Sequence, residues 1–398
     1  MTAYMRVLIA FDKFKECMSA QVACATLQEA LQEAMPGAEA ISAPICDGGE
    51  GFCETLCSAR DGRFVELDAQ GPRGEPRRAT IGLVDASKLD HELRGQLGCD
   101  ASHGELAVVE MAQASGLWGL PAELRNPHKA TSRGTGQMLA AAADAGAGAI
   151  LLGIGGSASS DLGLGALEAL GLRFHDRAGR ELCGICPERW DDVYTIGGKL
   201  RPLPPLSVAC DVRNPLLGPN GAAAIFGPQK GLAPADVPAF DARARRIAML
   251  LCEHFARPPS LLDEEGAGAA GGMGWGLRVA YGARYLPGFE LTWRWMGFEE
   301  KLRRADILVT GEGSFDSASL GGKGPGTLLK MALEAGLKVL VLAGRVEPGL
   351  EIVAAAGKGR LKCVSISPPE LPLDEALRRG PELLRAAFVR EIDRIAAK

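Results

Sequence analysis

The sequence predicts an α/β protein with a mainly parallel sheet. Short runs rich in β-branched residues alternate with helical stretches, and a polar residue or glycine follows many of the apolar runs. The chain has 398 residues, 47% apolar and 23% charged. This length allows two globular domains of about 100–200 residues each.

The first predicted element is a strand over Val7–Ala10. The helix that follows begins after Ser19, a good N-cap residue, and ends at Pro36-Gly37. Further strands are predicted at Ser42–Cys46, Leu106–Glu110, Ala149–Ile154, Ser207–Cys210, Ile307–Thr310 and Val339–Ala343. Further helices are predicted at Gly163–Leu170, Ala235–Phe255, Gly326–Ala335 and Leu373–Ala397, the last broken at Gly380-Pro381.

The character of the chain changes over residues 70–105. This stretch is polar, rich in turn residues and contains only short β-like pieces, whereas the α/β rhythm returns after residue 300. The change predicts a domain boundary near residue 75.

Composition argues against several classes of partner. The net charge is −5, the isoelectric point is about 5.7, and aromatic residues make up 5% of the chain. We therefore expect no nucleic-acid partner and no acidic membrane surface. The apolar run Val7–Phe11 is too short for a signal peptide, so we expect a cytoplasmic protein. The sequence carries no signal for the oligomeric state.

Five predicted strands end in residues suited to a ligand site. In α/β proteins such sites lie at the carboxyl edge of the sheet. The five segments are Asp12–Lys15, Asp47–Gly51, Gly153–Ser157, Cys210–Asn214 and Gly311–Gly313.

The turn Gly153–Ser157 is the clearest local signal. It follows an apolar strand and precedes a predicted helix, so its N–H groups are expected to form an anion site, with Ser157 or Ser159 as the helix cap. A purely steric need for glycine in a tight turn is the simpler alternative.

Two kinds of anion fit this turn. A dinucleotide fits the pattern Gly153-x-Gly155-x-x-Ala158, because Asp176 follows about 20 residues later. A transferred phosphate fits as well, and it also explains the carboxylates at the other strand ends as magnesium ligands or bases.

Three lysines are candidates for contact with phosphate. They are Lys15, Lys323 and, in the loop Gly227–Gly231, Lys230. A P-loop is excluded because Gly322-Lys323 precedes Gly324 rather than Ser or Thr.

Eight segments, in order, resemble the type-1 glycerate kinase family. The likeness runs from Asp12 to about Val346. The segments are Asp12–Ala20, Asp47–Gly51, Val109–Leu117, Thr131–Gly136, Gly153–Asp161, Cys210–Gly231, Gly266–Gly272 and Thr310–Pro325.

The resemblance implies two α/β domains with the active site in the cleft between them. Residues 1–75 and 290–398 would form a discontinuous Rossmann-like domain, and residues 76–289 the inserted one. It further implies transfer of the γ-phosphate of ATP to D-glycerate, commonly giving 2-phosphoglycerate, with Mg²⁺.

Residue type and position then suggest a role for each candidate. Asp211 or Asp47 would be the general base, and Glu312 and Asp316 would hold Mg²⁺. Lys15 and Lys323 would neutralise charge on the transferred group. The ATP-binding candidates are Gly155, Gly156, Ser157, Asp161 and Lys230.

The chain departs from the family pattern at three places. Asp12-Lys13-Phe14-Lys15-Glu16-Cys17 stands where the family usually has Asp-Ser-Phe-Lys-Gly-Ser, Ser160 where it has Asn, and Ser314 where it has Arg. Lys13 or Arg133 would offset the missing arginine, which otherwise suggests a different small hydroxy acid. A nucleotide-linked oxidoreductase and a noncatalytic acid-binding protein remain as alternatives.

Overall fold

The computed structural model describes residues 5–100, 102, 104–321, 324–348 and 359–397. The strands are β1 Arg6–Phe11, β2 Glu39–Ser42, β3 Arg63–Gln70, β4 Pro76–Asp85, β5 Glu105–Glu110, β6 Ala149–Gly153, β7 Leu172–His175, β8 Glu181–Leu182, β9 Thr195–Gly198, β10 Leu206–Ala209, β11 Arg284–Leu286, β12 Ile307–Gly311, β13 Ser314–Phe315, β14 Lys338–Ala343, β15 Arg345–Val346 and β16 Leu361–Ser365. The helices are α1 Ala20–Ala34, α2 Phe52–Ser58, α3 His91–Leu97, α4 Met111–Ser115, α5 Arg133–Asp144, α6 Leu164–Ala169, α7 Ala222–Phe226, α8 Val237–His254, α9 Met273–Tyr281, α10 Gly288–Met296, α11 Phe298–Arg304, α12 Ser317–Gly321, α13 Pro325–Glu334, α14 Leu373–Arg378 and α15 Gly380–Ala397. Across these described helices, none is both long enough and apolar enough to cross a bilayer.

The chain divides into two compact units. The first combines Met1–Cys46 with Thr292–Lys398, and the second is Asp47–Leu291. The boundary expected near residue 75 would separate β3 from β4, which pair along eight antiparallel positions from Arg63↔Leu83 to Gln70↔Pro76. That hairpin keeps residues 47–75 with the second unit, so the division falls earlier, at Cys46–Asp47.

The first unit is built on a five-stranded parallel sheet. Its strand order is β16-β14-β12-β1-β2, so the chain starts near the centre, adds β2 on one side and then continues on the other. The order reverses between β1 and β12. In open α/β sheets, ligands bind at the carboxyl ends of the strands beside such a reversal.

Helix α1 shows how the local sequence builds this unit. The Ser19 side chain caps the helix by accepting a hydrogen bond from the Val22 N–H at 3.2 Å, as the sequence predicts. Its apolar stripe includes Leu27 and Leu31, both buried against the sheet core that contains Ile9. Burying a leucine side chain of this kind contributes about 1.5–3 kcal/mol.

The second unit contains a six-stranded mixed sheet. Its order is β11-β10-β6-β5-β4-β3; the four strands from β11 to β5 are parallel, and β4 and β3 continue as antiparallel strands. Helix α5 packs on this sheet and buries Met138 and Leu139. A separate antiparallel sheet has the order β8-β7-β9.

The α/β class predicted from the sequence is confirmed, and most predicted elements lie within a few residues of the observed ones. The strand predicted at Ser42–Cys46 is an exception, because β2 covers Glu39–Ser42 instead. The next residues still run beside β1: the Ala43 and Ile45 N–H groups donate to the carbonyls of Ile9 and Phe11 at 2.9 and 2.8 Å.

Candidate functional site

The end of β1 and the end of β12 bring two carboxylates to one edge of the first unit's sheet. Phe11 pairs with Gly311 in the parallel register, and the Asp12 N–H donates to the Gly311 carbonyl at 3.0 Å. Asp12 and Glu312 each follow directly after these strands. They therefore occupy the position beside the reversal of strand order where α/β sheets bind ligands.

Glu312 has a strongly altered acidity at this edge. Partial burial raises the pKa of its carboxyl to about 7, and the negative charges of Asp12 and Asp316 add to the rise. Lys15 and a hydrogen bond from Ser319 act in the opposite direction. Perturbed carboxyls of this kind, placed at a sheet edge, are typical of functional sites.

Asp316 lies beside this pair in the loop before α12. Its Oδ1 accepts a hydrogen bond from the Ser319 N–H at 3.0 Å. Within the described ranges, no three His, Cys, Asp or Glu side chains converge closely enough to hold a metal ion by themselves. Mg²⁺ does not require such a cage, because it often uses one or two carboxylates together with phosphate oxygens.

Two lysines were predicted to act near these carboxylates. Lys15 is exposed, and the Glu312–Gly313 segment approaches its backbone: a Cβ atom placed on Gly313 would lie 3.5 Å from Lys15 N. Lys323 lies outside the described residues. The next residue, Gly324, has φ +89° and is the N-cap of α13; a Cβ on it would lie 4.0 Å from Asp12 Oδ2.

In the second unit, the turn Gly153–Ser157 is packed closely against the loop Asp47–Gly51. The Gly155 N–H donates to the Gly48 carbonyl at 2.8 Å, and a Cβ on Gly155 would lie only 2.6 Å from Gly49 Cα. Glycine at position 155 is therefore required for two backbones to approach each other.

The expectation that this turn opens a helix is wrong. The next helix, α6, begins at Leu164 after Gly163, so neither Ser157 nor Ser159 caps it. The Ala158 N–H is already bonded to the Ser115 carbonyl at 2.8 Å, as the Gly155 N–H is to Gly48. These internal bonds reduce the number of N–H groups with which the turn can bind an anion.

The exposed part of the turn is Gly156, at φ +70°. The Glu50 carboxylate lies against it, since a Cβ on Gly156 would come within 2.2 Å of Glu50 Oε1. Glu50 belongs to the predicted strand-end segment Asp47–Gly51, but no local pattern marks it as a site residue.

Asp161 lies inside the protein and holds its own loop. Its carboxylate accepts hydrogen bonds from the Ser132 N–H and hydroxyl at 2.7 and 2.8 Å and from the Gly165 N–H at 3.1 Å. Burial raises the pKa of Asp161, whereas these donors favour the ionised form. The predicted direct contact with ATP does not follow from this arrangement.

Lys230 is also internal, with only 1% of its surface exposed. Its Nζ donates to Ser157 Oγ at 3.0 Å and to the Ser159 carbonyl at 2.6 Å. Burial lowers the pKa of this amine to about 7, and nearby Asp161 partly opposes the shift. From this buried position, the Lys230 side chain supports the turn Gly153–Ser157 from the protein interior.

Asp47 and Asp211 lie near each other at the carboxyl edge of the second unit's sheet. Asp47 Oδ1 accepts from the Gly49 N–H at 3.2 Å, and Asp211 Oδ2 accepts from the Phe289 N–H at 2.8 Å. Both approach Gly288: a Cβ placed there would lie 3.0 Å from Asp211 Oδ2 and 3.0 Å from the Asp47 carbonyl oxygen.

Two supporting residues escaped the sequence reasoning. Glu110, at the end of β5, is buried and accepts from the Cys53 N–H at 3.1 Å, which fixes the start of α2 behind the Asp47–Gly51 loop. Ser132 donates to Asp161 and accepts from the Ala166 N–H at 3.0 Å. Both lie within or beside the segments that carry the family resemblance, which was the available signal.

The two substituted serines have different surroundings. Ser160 is buried and packs on Gly271, because a Cβ on Gly271 would lie 2.4 Å from Ser160 Cα. Among the residues that the structure describes, its hydroxyl has no hydrogen-bond partner. Ser314 is exposed at the start of β13.

The dinucleotide interpretation of the turn fails at Asp176. That carboxylate accepts from the Ala178 and Arg180 N–H groups at 2.8 and 2.9 Å, so it closes the β7–β8 turn. Strand β7 belongs to the separate three-stranded sheet rather than to the sheet that contains β6. Asp176 thus lacks the neighbouring-strand position of a ribose-binding acid.

Comparison with known proteins places this arrangement in a family. A model of the glycerate kinase family matches residues 7–396. The chain is 37% identical to a glycerate kinase of Bacillus subtilis (strain 168) over 384 residues, covering 96% of this chain and 95% of that protein. It is 35% identical to a glycerate 2-kinase of Escherichia coli (strain K12) over 378 residues, with coverage of 94% and 93%.

A solved structure shares the fold. A crystal structure from Salmonella typhimurium LT2, provisionally described as glycerate kinase 2, superposes with a TM-score of 0.72 at 32% identity and covers 99% of both chains. The match extends over nearly the whole chain and includes every segment of the candidate site. The protein therefore belongs to the glycerate kinase family of phosphotransferases.

Proposed function

We propose that the protein transfers the γ-phosphoryl group of ATP to the 2-hydroxyl of D-glycerate and releases 2-phosphoglycerate and ADP. The observation that carries this proposal is the match to glycerate kinases along nearly the full chain, including a relative named glycerate 2-kinase. Transfer from ATP also accounts for a carboxylate cluster beside lysine at one sheet edge.

The donor set of the first unit fits Mg²⁺. Glu312 and Asp316 offer hard carboxylate oxygens; burial is the main cause of the raised pKa of Glu312, and the charges of Asp12 and Asp316 add to it. We assign these two residues to the ion, which when bound neutralises charge on the phosphates of ATP. Lys15 and Lys323 add positive charge for the transferred group.

The second unit supplies the proposed base and the phosphate-binding turn. Asp211 and Asp47 are the candidates to accept the proton that the glycerate hydroxyl loses late in transfer. Gly155, Gly156 and Ser157 form the proposed phosphate-binding turn; Lys230 holds that turn from the protein side, and Asp161 holds the loop that follows it. The location of Asp176 disfavours the oxidoreductase alternative.

The proposal places the enzyme in the cytoplasm. All eleven cysteines are free thiols, as expected in a reducing compartment.

One assay tests the reaction. Purified protein is incubated with Mg²⁺, ATP and D-glycerate, and ADP release is followed alongside a panel of other small hydroxy acids. The proposal predicts ADP release that depends on D-glycerate. ADP release with another hydroxy acid, but not with D-glycerate, would identify that acid as the acceptor instead. Acid binding without turnover would favour a noncatalytic role, and NADH binding without ADP release would favour an oxidoreductase.

The position of phosphorylation is read from the product itself. In a proton-coupled ³¹P spectrum a 2-phosphate ester is split by one proton into a doublet, whereas a 3-ester is split by two into a triplet. The proposal requires the doublet. Asp211→Asn should lower turnover by at least about 10²-fold if Asp211 is the base. The exposed Asp236 provides the matched control, Asp236→Asn, which should leave turnover unchanged.

A further inference from the structure

The buried amine of Lys230 is held at both ends of its side chain. Its backbone lies in the short 3-10 turn Pro228–Lys230, which closes at Gly231 with φ +94°. A Cβ on Gly231 would lie 2.4 Å from the Arg125 carbonyl oxygen, so this turn is packed against its neighbour. Its Nζ lies within hydrogen-bond distance of Ser157 Oγ and the Ser159 carbonyl.

Burial of an ammonium group is unfavourable unless its partners compensate for the lost water. Both partners of Lys230 belong to one segment, Ser157–Ser159, which follows the exposed Gly156. Since 1% of Lys230 is exposed, its amine faces the protein interior rather than solvent. Any effect of this amine on a ligand must pass through that segment.

The Ser157 hydroxyl is suited to transmit the effect. A serine hydroxyl carries one proton and two acceptor lone pairs. Because Ser157 Oγ accepts from Lys230, its own proton is directed elsewhere. Accepting a hydrogen bond from this amine also polarises the hydroxyl and strengthens it as a donor.

Two backbone donors in and beside the turn are already used. The N–H groups of Gly155 and Ala158 bond to the carbonyls of Gly48 and Ser115. Ser157 is 7% exposed and directly follows the exposed Gly156, so the residue lies close to the surface of the turn.

We propose that the Ser157 hydroxyl donates a hydrogen bond to a phosphate oxygen of the ligand, and that Lys230 is a positioning residue that orients and polarises this hydroxyl without touching the ligand. This inference rests on the proposed function because it takes the ligand to be a phosphate. It replaces the direct lysine–phosphate contact expected from the sequence with contact through Ser157.

A double-mutant cycle tests the inference on binding rather than on turnover. The variants are Ser157→Ala, Lys230→Met and the double mutant, and the probes are Mg-ATP and inorganic phosphate in calorimetric titrations. Each single variant should weaken binding by about 10-fold or more, the expected effect of losing a hydrogen bond to a charged group. The double mutant should bind no more than about twofold more weakly than Ser157→Ala, because both changes remove the same interaction.

Two further variants separate positioning from general damage. Lys230→Gln keeps a hydrogen-bond donor on a shorter side chain and should bind with intermediate affinity. Lys199→Met removes an exposed lysine of the same unit and should bind as the wild type does. Unfolding free energies of all variants are measured in parallel; if Lys230→Met does not fold, Lys230→Gln completes the cycle with Ser157→Ala.

Several results would overturn the inference. One is a Ser157→Ala variant that binds both probes as tightly as the wild type does. Another is a Lys230 substitution that weakens binding by the same factor in the wild-type protein and in the Ser157→Ala variant. A third is wild-type protein that binds neither Mg-ATP nor inorganic phosphate. Wild-type protein that binds Mg-ATP but does not phosphorylate D-glycerate contradicts the proposed function alone, since the cycle is measured without an acceptor.

Discussion

Arg133 forms an ion pair of 2.9 Å with Glu168, a carboxylate that is only 6% exposed. The same carboxylate accepts hydrogen bonds from the Gly184 and Ile185 N–H groups at 2.8 and 3.2 Å. Arg133 is therefore occupied in fixing a buried acid, which makes it a poor replacement for the arginine that the family carries at position 314.

Arg133→Met should consequently reduce stability more than catalysis. Removing the cation leaves Glu168 buried with only its backbone donors, so we expect a loss of about 1–3 kcal/mol in the free energy of unfolding. Urea denaturation measures this change, and kcat/KM for D-glycerate should stay within about twofold of the wild-type value. Arg213 forms an exposed ion pair with Glu265, so the control substitution Arg213→Met should change the free energy of unfolding very little. A large rise in KM without loss of stability would instead make Arg133 a substrate contact.

Gly155→Ala should disturb two loops at once. The new methyl group would lie 2.6 Å from Gly49 Cα, so either the turn or the Asp47–Gly51 loop must move. Overpacking of this kind costs about 1–3 kcal/mol, and we expect kcat/KM to fall at least about 10-fold because Asp47 shifts with its loop. Gly37→Ala is the control, since no atom lies within 4 Å of a Cβ at that position. Wild-type activity of a folded Gly155→Ala enzyme would argue against a role for this loop contact.

Glu16→Gly should stabilise the protein. Glu16 adopts φ 60°, in the left-handed region that glycine enters without strain. Relief of about 1–2 kcal/mol of strain is partly offset by the greater freedom of glycine in the unfolded chain, leaving a gain of about 1 kcal/mol. The same substitution in the middle of helix α1, Glu29→Gly, should destabilise by about 1 kcal/mol. Denaturant titrations measure the free energy of unfolding of both variants. An equal loss of unfolding free energy in the two variants would mean that position 16 carries no backbone strain.

Glu312→Gln should remove the magnesium dependence of nucleotide binding. The carboxylate is a proposed Mg²⁺ ligand, and the amide that replaces it carries no charge to attract the ion. Titrations with a nonhydrolysable ATP analogue, with and without Mg²⁺, should show at least about 10-fold less enhancement by the ion in the variant. Affinity without Mg²⁺ should not decrease. Glu334→Gln, on the exposed face of α13, should retain the full enhancement, and an equal enhancement in Glu312→Gln would exclude Glu312 as a ligand.

The altered acidity of Lys230 predicts a specific dependence of stability on pH. Burial lowers the pKa of Lys230 from 10.5 to about 7, so between these values the unfolded chain binds a proton that the folded protein lacks. The unfolding free energy contributed by Lys230 therefore increases as pH rises from about 7, by about 1 kcal/mol per pH unit. The contribution is lost as pH falls to about 7.

Lys230→Met, which has no titrating group at this position, supplies the comparison. Wild-type protein should gain stability relative to this variant between pH 7 and pH 9 in urea denaturation experiments. Parallel curves over that range would show that the lysine keeps an ordinary pKa in the folded protein.

Local sequence was sufficient to place many of the elements and the residues at their ends. The N-cap at Ser19 and the apolar stripe of α1 were readable because a helix repeats every 3.6 residues and its cap lies within the same short window. The glycine cluster at 153–156 was recognisable for the same reason. The loop at Gly49, against which this cluster packs, is more than a hundred residues away along the chain. The sequence around residue 155 therefore gives no sign of this contact.

The β3–β4 hairpin shows where local patterns misled. Residues 70–105 looked like a boundary because they are polar, yet β3 and β4 pair along eight positions at the edge of the sheet. An edge hairpin with one solvated face can carry many polar side chains and remain regular, so composition alone did not distinguish it from a linker.

Sequence by itself determined the α/β class, the family likeness and the strand ends where chemistry would lie. Tertiary structure decided which of those ends meet: Asp12 lies beside Glu312 through the pairing of β1 with β12, and Lys230 reaches Ser157 across 73 positions of the chain. It also decided that the side chains of Lys230 and Asp161 are buried. The physical reason is that strand order and burial depend on contacts between distant segments, whereas the periodicity, caps and turn residues that a sequence displays are local.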